Sequence, residues 1–212
     1  MHCLVSVVCM ISLFVITSAQ AAVIVAASCN RGHVESAILS AVAGDIVEVP
    51  AGTCSWTSTL VVSPPAITIR GISTTATVIV DNVPKTGGDI DARMWVIATP
   101  ASGSFRLTSM TFRGGTTVGP ECCDGLLVVG GTSNSFRMDH VKFDNPNQIA
   151  MALNGAIHGV LDHNTFDMTS TSRFAVHTKH DTWPSGANVW GDGSFSNTVV
   201  LGTSQALFFE NN

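Results

Sequence analysis

Apolar residues in this chain recur in short runs separated by Gly, Asn, Ser and Thr, and two stretches are near copies. Phe136 to Asp144 reads FRMDHVKFD and Gly159 to Asp167 reads GVLDHNTFD. Met138 falls on Leu161, Asp139 on Asp162, His140 on His163 and Phe143 on Phe166. A weaker copy, FRLTSMTFR, spans Phe105 to Arg113, and a last one, LFFENN, spans Leu207 to Asn212. The aligned apolar position is therefore Leu107, Met138, Leu161 and Phe209, at steps of 31, 23 and 48 residues. Apolar runs closing in small residues precede the copies at Leu126–Gly131, Met151–Gly155 and Val199–Gly202. Short strands punctuated by turn formers, with a period between 20 and 50 residues, predict a stacked repeat. With strands this short and little helical periodicity between them, the expected fold is all-β, a parallel β-helix of about four coils. Each coil would pair with the coils above and below. Leu107, Met138, Leu161 and Phe209 should form one buried column, and Phe112, Phe143 and Phe166 another.

The pattern changes at residues 30–43. Val34, Ala37, Ile38 and Ala41 follow i, i+3, i+4, i+7, and Gly44 stands where a C′ glycine would. This predicts a short amphipathic helix that plugs the first end of the stack, where apolar core and unpaired backbone would otherwise face water. The first coil is expected from Ile46 to Ile69, with a turn at Pro50–Thr53 and a corner at Pro64-Pro65, since proline cannot donate to a ladder. A second coil holds Val78–Val80, Met94–Ala98 and Phe105–Phe112. The long step to Phe209 implies an insert over residues 167–198, and inserts in repeats project as loops. The last copy stops two positions short of its phenylalanine, with no cap after it, so the stack is expected to continue beyond Asn212 or to associate end to end.

The phrases LDHNTFD and GTSQALFFENN, with GDIVEVPAGTCSW and ITIRGIS earlier, resemble secreted right-handed parallel β-helix proteins of the pectate-lyase-like superfamily, over roughly residues 30 to 212. The resemblance implies the right hand and, for activity, cleavage of an acidic polysaccharide by elimination. It also implies that Asp162, followed by His163, contributes to a Ca²⁺ site. The chain departs from that pattern in having Val160-Leu161 where those enzymes place Trp-Ile. Tyrosine is absent, so a Tyr/His elimination is ruled out.

Composition narrows the picture. Charged residues make up 12% of the 212 and the formal net charge is −5, which argues against nucleic acid as the main partner. An acidic polysaccharide needs only a local cationic edge. Leu4 to Ile16 is an apolar run followed by the small-x-small site Ala19-Gln20-Ala21, so residues 1–21 read as a secretory signal and 22–212 as one exported or envelope domain, free of the membrane after cleavage. Cys29, Cys54, Cys122 and Cys123 then remain, an even number in an exported chain. Of the three pairings, Cys29–Cys54 is favoured because it ties the leading segment to the first coil. Cys122 and Cys123 are adjacent and would form a strained vicinal bond.

Two constellations carry candidate chemistry. The first is the column Asp139, Asp162 and Glu210, each followed by His140, His163 or Asn211. Carboxylates stacked one coil apart repel unless a cation relieves them, so Ca²⁺ is one reading. A bend whose Asp and Asn side chains cap turn amides, with Asn164 and Asn212 in the left-handed conformation, is the other. The second is the insert, where Trp183 and Trp190 would stack on sugar rings while Lys179, His177 and His180 supply charge or a base, with His163 nearby for substrate. The tryptophans would serve equally to pin the loop. Function is accordingly expected to be recognition of an extracellular or cell-wall polysaccharide, with lyase chemistry, and glycoside hydrolysis second, open. A non-catalytic adhesin or envelope scaffold is the alternative.

Overall fold

The computed structural model describes residues 20–85, 93–117, 125–169, 175–179 and 206–212. The described residues begin with β1 (Val23–Val25) and α1 (Arg31–Ser40). Strands β2 (Ile46–Val49), β3 (Gly52–Trp56), β4 (Leu60–Val62), β5 (Thr68–Gly71), β6 (Thr77–Asp81) and β7 (Trp95–Thr99) follow. Three longer strands come next, β8 (Phe105–Gly114), β9 (Leu127–Asp144) and β10 (Met151–Asp162). Then come β11 (Thr165–Asp167), β12 (Val176–Lys179) and β13 (Ala206–Glu210).

Pairing among these strands is parallel and falls into three ladders. The first stacks β1, β2, β5, the start of β8, the later part of β9, the end of β10 and β13. The second stacks β3, β6, the end of β8, the end of β9 and β11. The third stacks β4, β7, the start of β9, the start of β10 and β12. In the first ladder the expected column is in register, Leu107 on Met138 on Leu161 on Phe209, and it extends back through Ile69 and Val47 to Ile24. Ile69 therefore belongs one rung above Val47 rather than closing the same coil. The Pro50–Thr53 turn is likewise shorter than expected, because β3 starts at Gly52.

Leu107, Met138 and Leu161 are fully buried. Phe209, expected to join them inside, is 53% exposed, because among the described residues no strand lies beyond β13. In the second ladder Phe112, Phe143 and Phe166 stack at 5.6 and 5.1 Å between ring centroids, with Phe166 only half-buried. Trp56 and Trp95 extend this aromatic file toward the first rungs.

The helix is confirmed and shorter than its periodicity suggests. Val34, Ala37 and Ile38 are buried, and α1 packs on β1, β2 and β4, the early rungs it was expected to cover. It stops at Ser40, since Ala41 is extended and buried, so Ala41 contributes to the core after the helix has ended. Gly44, with φ 95°, serves instead the turn into β2. Cys29, just before the helix, is bonded to Cys54 of β3 with Cα atoms 5.7 Å apart, and Trp56 Nε1 donates to the Cys29 carbonyl at 2.9 Å. Cys122 and Cys123 lie outside the described residues, as do residues 1–19 and most of the 167–198 insert. No helix among the described residues is long and apolar enough to cross a membrane.

The corners are built by residues with positive φ. Ser109, His140, His163 and Asn211, at φ 60°, 53°, 54° and 49°, turn the chain out of the first ladder at one height in successive rungs. Gly155 closes the third ladder at φ 94°, and a Cβ there would come within 2.3 Å of the Gly131 carbonyl. Asn164, expected to be left-handed, sits one place after the left-handed residue and is buried. Its Oδ1 accepts the Val141 N–H and its Nδ2 donates to the Met138 carbonyl. Asn212 repeats this one rung on, its Oδ1 accepting from Asn164 and its Nδ2 donating to the Leu161 carbonyl. The asparagines thus satisfy backbone groups that the bend removes from the ladder.

Two consequences are measurable by urea denaturation. Replacing Cys29 and Cys54 together by Ser removes a cross-link with a sequence separation of 25 and should lower stability by about 3 kcal/mol. Leu161→Asp places an unpaired charge in the column and should abolish the cooperative transition, since such a charge costs several kcal/mol. A Leu161→Asp protein that unfolds like the parent would refute the burial of this column.

Candidate functional site

Alternation along the first ladder sends Val47, Ile69, Leu107, Met138 and Leu161 inward, so the residues on either side of them face out. One outward column reads Glu48, Arg70, Thr108, Asp139, Asp162 and Glu210 in register. The column two residues upstream reads Ile46, Thr68, Arg106, Arg137 and Val160. The expected acidic column therefore exists, and a column of arginines stands beside it.

Each arginine reaches one rung forward. Arg106 grips Asp139 with both arms of its fork, Nε to Oδ1 and Nη2 to Oδ2, each at 2.6 Å. Arg137 grips Asp162 in the same way at 3.0 and 2.9 Å, and its Nε also passes 3.5 Å from Asp139 Oδ1. Thr108 donates to Asp139 Oδ2 at 3.1 Å. Earlier in the column, Arg70 forks onto Glu48. Glu210 is exposed, and the position that would carry its arginine is Val160.

The histidines complete the edge. His140 Nδ1 lies 2.9 Å from Asp139 Oδ2, and His163 Nδ1 lies 2.9 Å from Asp162 Oδ2. An ionised carboxylate can only accept, so Nδ1 is the donor in both rings, and Nε2 of the neutral ring keeps its lone pair. The left-handed bend brings both rings over one edge, stacked with centroids 5.2 Å apart and planes 2° from parallel. That spacing is about one strand repeat.

Burial would push the Asp139 carboxyl up, but the Arg106 fork, His140 and Thr108 outweigh it and hold it at about 2. The Arg137 fork draws Asp162 down against a smaller desolvation, with His163 adding to it. Asp144, under Arg113 and Lys142, is lowered in the same way on the second ladder. The side-chain exposures are 0% and 6% for Asp139 and Asp162 against 41%, 50%, 58% and 50% for Arg106, Arg137, His140 and His163. The anions are beneath and the cations and imidazoles are on top.

This donor set does not fit Ca²⁺. Calcium takes six to eight oxygens at 2.3–2.6 Å. Both oxygens of Asp139 and of Asp162 already accept from a guanidinium, and among the described residues no group of three or more His, Cys, Asp or Glu is arranged to hold a metal. The cation that relieves the stacked carboxylates is arginine. Lys179 pairs in register with Asn154 on the third ladder, apart from this edge, and His177, half-buried, pairs with Ala152 beside it. Trp183, Trp190 and His180 lie outside the described residues. Arg106, Arg137 and Thr108 join the site although the acidic column alone does not point to them. For the two arginines the signal is the Phe-Arg pair shared by FRLTSMTFR and FRMDHVKFD.

A lowered carboxyl pKa binds its proton more readily in the unfolded chain than in the folded one. The stabilisation from Asp139 is therefore complete above the ordinary aspartate value of about 3.9 and is lost as pH falls toward about 2, and that from Asp162, lowered in the same direction, is likewise lost on the acid side of the ordinary value. Urea midpoints should fall steeply from pH 4 to pH 2 and be flat from pH 5 to pH 7, and Asp162→Asn should soften the acid fall. A midpoint independent of pH down to 2 would contradict the ion pairs. Ca²⁺ should raise the melting temperature no more than NaCl of equal ionic strength.

No protein-family model, curated protein or solved structure matches this chain.

Proposed function

We propose that this chain is an exported right-handed parallel β-helix of pectate-lyase-like type that binds an anionic extracellular or cell-wall polysaccharide along the arginine and histidine edge. The three parallel ladders of short strands support the fold, and a disulfide belongs with an oxidising compartment. One observation carries the function. Carboxylates are buried under forks whose Nε and Nη2 are engaged, which leaves the Nη1 side of Arg106 and Arg137 for an outside acceptor. Those groups repeat once per rung, about 4.8 Å apart, beside the imidazoles of His140 and His163. A linear acidic polysaccharide repeats its charge once per sugar and would lie across the strands, each carboxylate meeting a guanidinium already aimed by its buried partner. Trp183 and Trp190 would add stacking on sugar rings.

The experiment is affinity electrophoresis through gels containing polygalacturonate, alginate or a neutral glucan. The acidic polymers should retard the protein, with the effect fading as salt rises, and the glucan should not. The paired substitution Arg137→Gln with Asp162→Asn removes one guanidinium without stranding a buried charge. It should weaken binding about tenfold, the scale of a charged hydrogen bond. Equal retardation by acidic and neutral polymers, or none by either, would remove this reading.

A further inference from the structure

We propose that Asp45 is a preformed seat for the α-ammonium group that hydrolysis of the Ala21–Ala22 bond leaves on Ala22, so that the first rung closes fully only in the processed chain. This shares the export premise of the preceding reading and is independent of its polysaccharide. It starts from a contrast among the buried carboxylates. Asp81, Asp139 and Asp162 are buried, and each meets a side-chain cation, Lys85, Arg106 and Arg137 respectively. Asp45 is buried as well, yet among the described residues its partners are two backbone amides and no Lys, Arg or His. Its Oδ2 accepts the Val42 N–H and its Oδ1 the Ala22 N–H, both at 2.9 Å. The Val42 and Ala22 amides hold the carboxyl below the usual aspartate range against its desolvation, so it is charged at neutral pH. The charged and titratable groups on the elements around it are engaged elsewhere: Arg31 with Glu35 on α1, His33 with Ser28, and Arg70 of β5 with Glu48 of β2.

The donor on Oδ1 is the residue at which the leader would be cut. Ala19-Gln20-Ala21 is the small-x-small sequence that follows the apolar run Leu4 to Ile16. Gln20, Ala21 and Ala22 are exposed and lie outside any strand, so the bond between Ala21 and Ala22 is open to an endopeptidase. Hydrolysis there consumes one water. The C–N bond breaks, the water oxygen leaves with the leader as a carboxylate, and both water hydrogens end on the Ala22 nitrogen as an ammonium. The amide offered Asp45 one proton and no charge, whereas the ammonium offers three protons and a full positive charge. The nitrogen is held in place for this change. The Ala22 carbonyl accepts the Ile46 N–H at 2.8 Å, β1 pairs with β2 from Val23 onward, and the Cys29–Cys54 bond anchors the segment that follows. The cut therefore turns a neutral hydrogen bond into an ion pair without moving the first rung, and it supplies the cation that this carboxylate lacks.

The test starts from the full chain exported by a secretory host, and mass spectrometry of its first peptide should place Ala22 at the N-terminus. Labelling with acetic anhydride against pH then reads the Ala22 amine. Paired with Asp45, the amine should titrate above the ordinary α-amino value of about 7.7–8.0, and Asp45→Asn should speed labelling at pH 7 about tenfold. A second variant, with two glycines placed before Ala22, restores the amide and needs no change at Asp45. An amine raised in the folded state stabilises fully below its unfolded value, and that stabilisation is lost as pH rises through the folded value. The urea midpoint of the processed chain should therefore fall between pH 7 and pH 10 relative to the glycine-extended chain, which shares every other ionisable side chain. A first residue other than Ala22, labelling that Asp45→Asn leaves unchanged, or identical pH profiles for the two chains would overturn the proposal. Retardation in acidic gels depends on the later rungs from Arg106 to His163, so its failure and the failure of this seat are separate results.

Discussion

A carboxylate removed from water must be met by a cation or it will not remain charged, and this requirement organises the first ladder. Asp139 is fully buried and Asp162 nearly so, although both point away from the apolar interior. They are buried because the arginine two residues earlier in the preceding rung folds over them. That placement makes each ion pair an inter-rung bond, so the pairs fix register as well as charge. A one-residue slip of β9 against β8 would send Asp139 inward and part it from Arg106. The outward cations are what remains when the anions are placed underneath.

The bend depends on the same residues. A left-handed residue costs an ordinary side chain roughly 1–2 kcal/mol, yet histidine occupies this conformation at 140 and 163. The Nδ1 bond to the preceding aspartate and the stack between the two rings offset that cost locally. Directly after the bend, Asn164 and Asn212 replace the lost ladder bonds with side-chain ones. The sequence Asp-His-Asn therefore holds three separate jobs in consecutive positions: charge pairing, turning and backbone repair. Of the three, only the turning histidine reaches the surface.

What could be read from residues alone followed from how strictly each constraint repeats. The column Leu107, Met138, Leu161 was legible because burial demands an apolar group at every rung, and Cys29–Cys54 because it ties a leading segment to a nearby strand. The earlier rungs at Ile24, Val47 and Ile69 are harder to see, since their neighbours share no DH phrase although they stand in the same register. Asparagine's tolerance of the left-handed conformation points to Asn164 as a bend residue, whereas side-chain hydrogen bonding to two rungs decides its place. The arginines are hidden in the sequence for a different reason. A carboxylate column by itself suggests a metal, and only the three-dimensional diagonal from Arg106 to Asp139 and from Arg137 to Asp162 shows that the counter-charge is already in the chain.

The central claim is that arginine, not a divalent metal, balances the acidic column and in doing so presents a cationic edge. A crystal structure grown with an oligouronate and excess Ca²⁺ tests it most directly. The account predicts the Arg106 and Arg137 forks still closed on Asp139 and Asp162, with uronate carboxylates on their Nη1 side and the sugar chain running across the strands past His140 and His163. A Ca²⁺ ion bridging Asp139 and Asp162, with both arginines swung out to solvent, would contradict it.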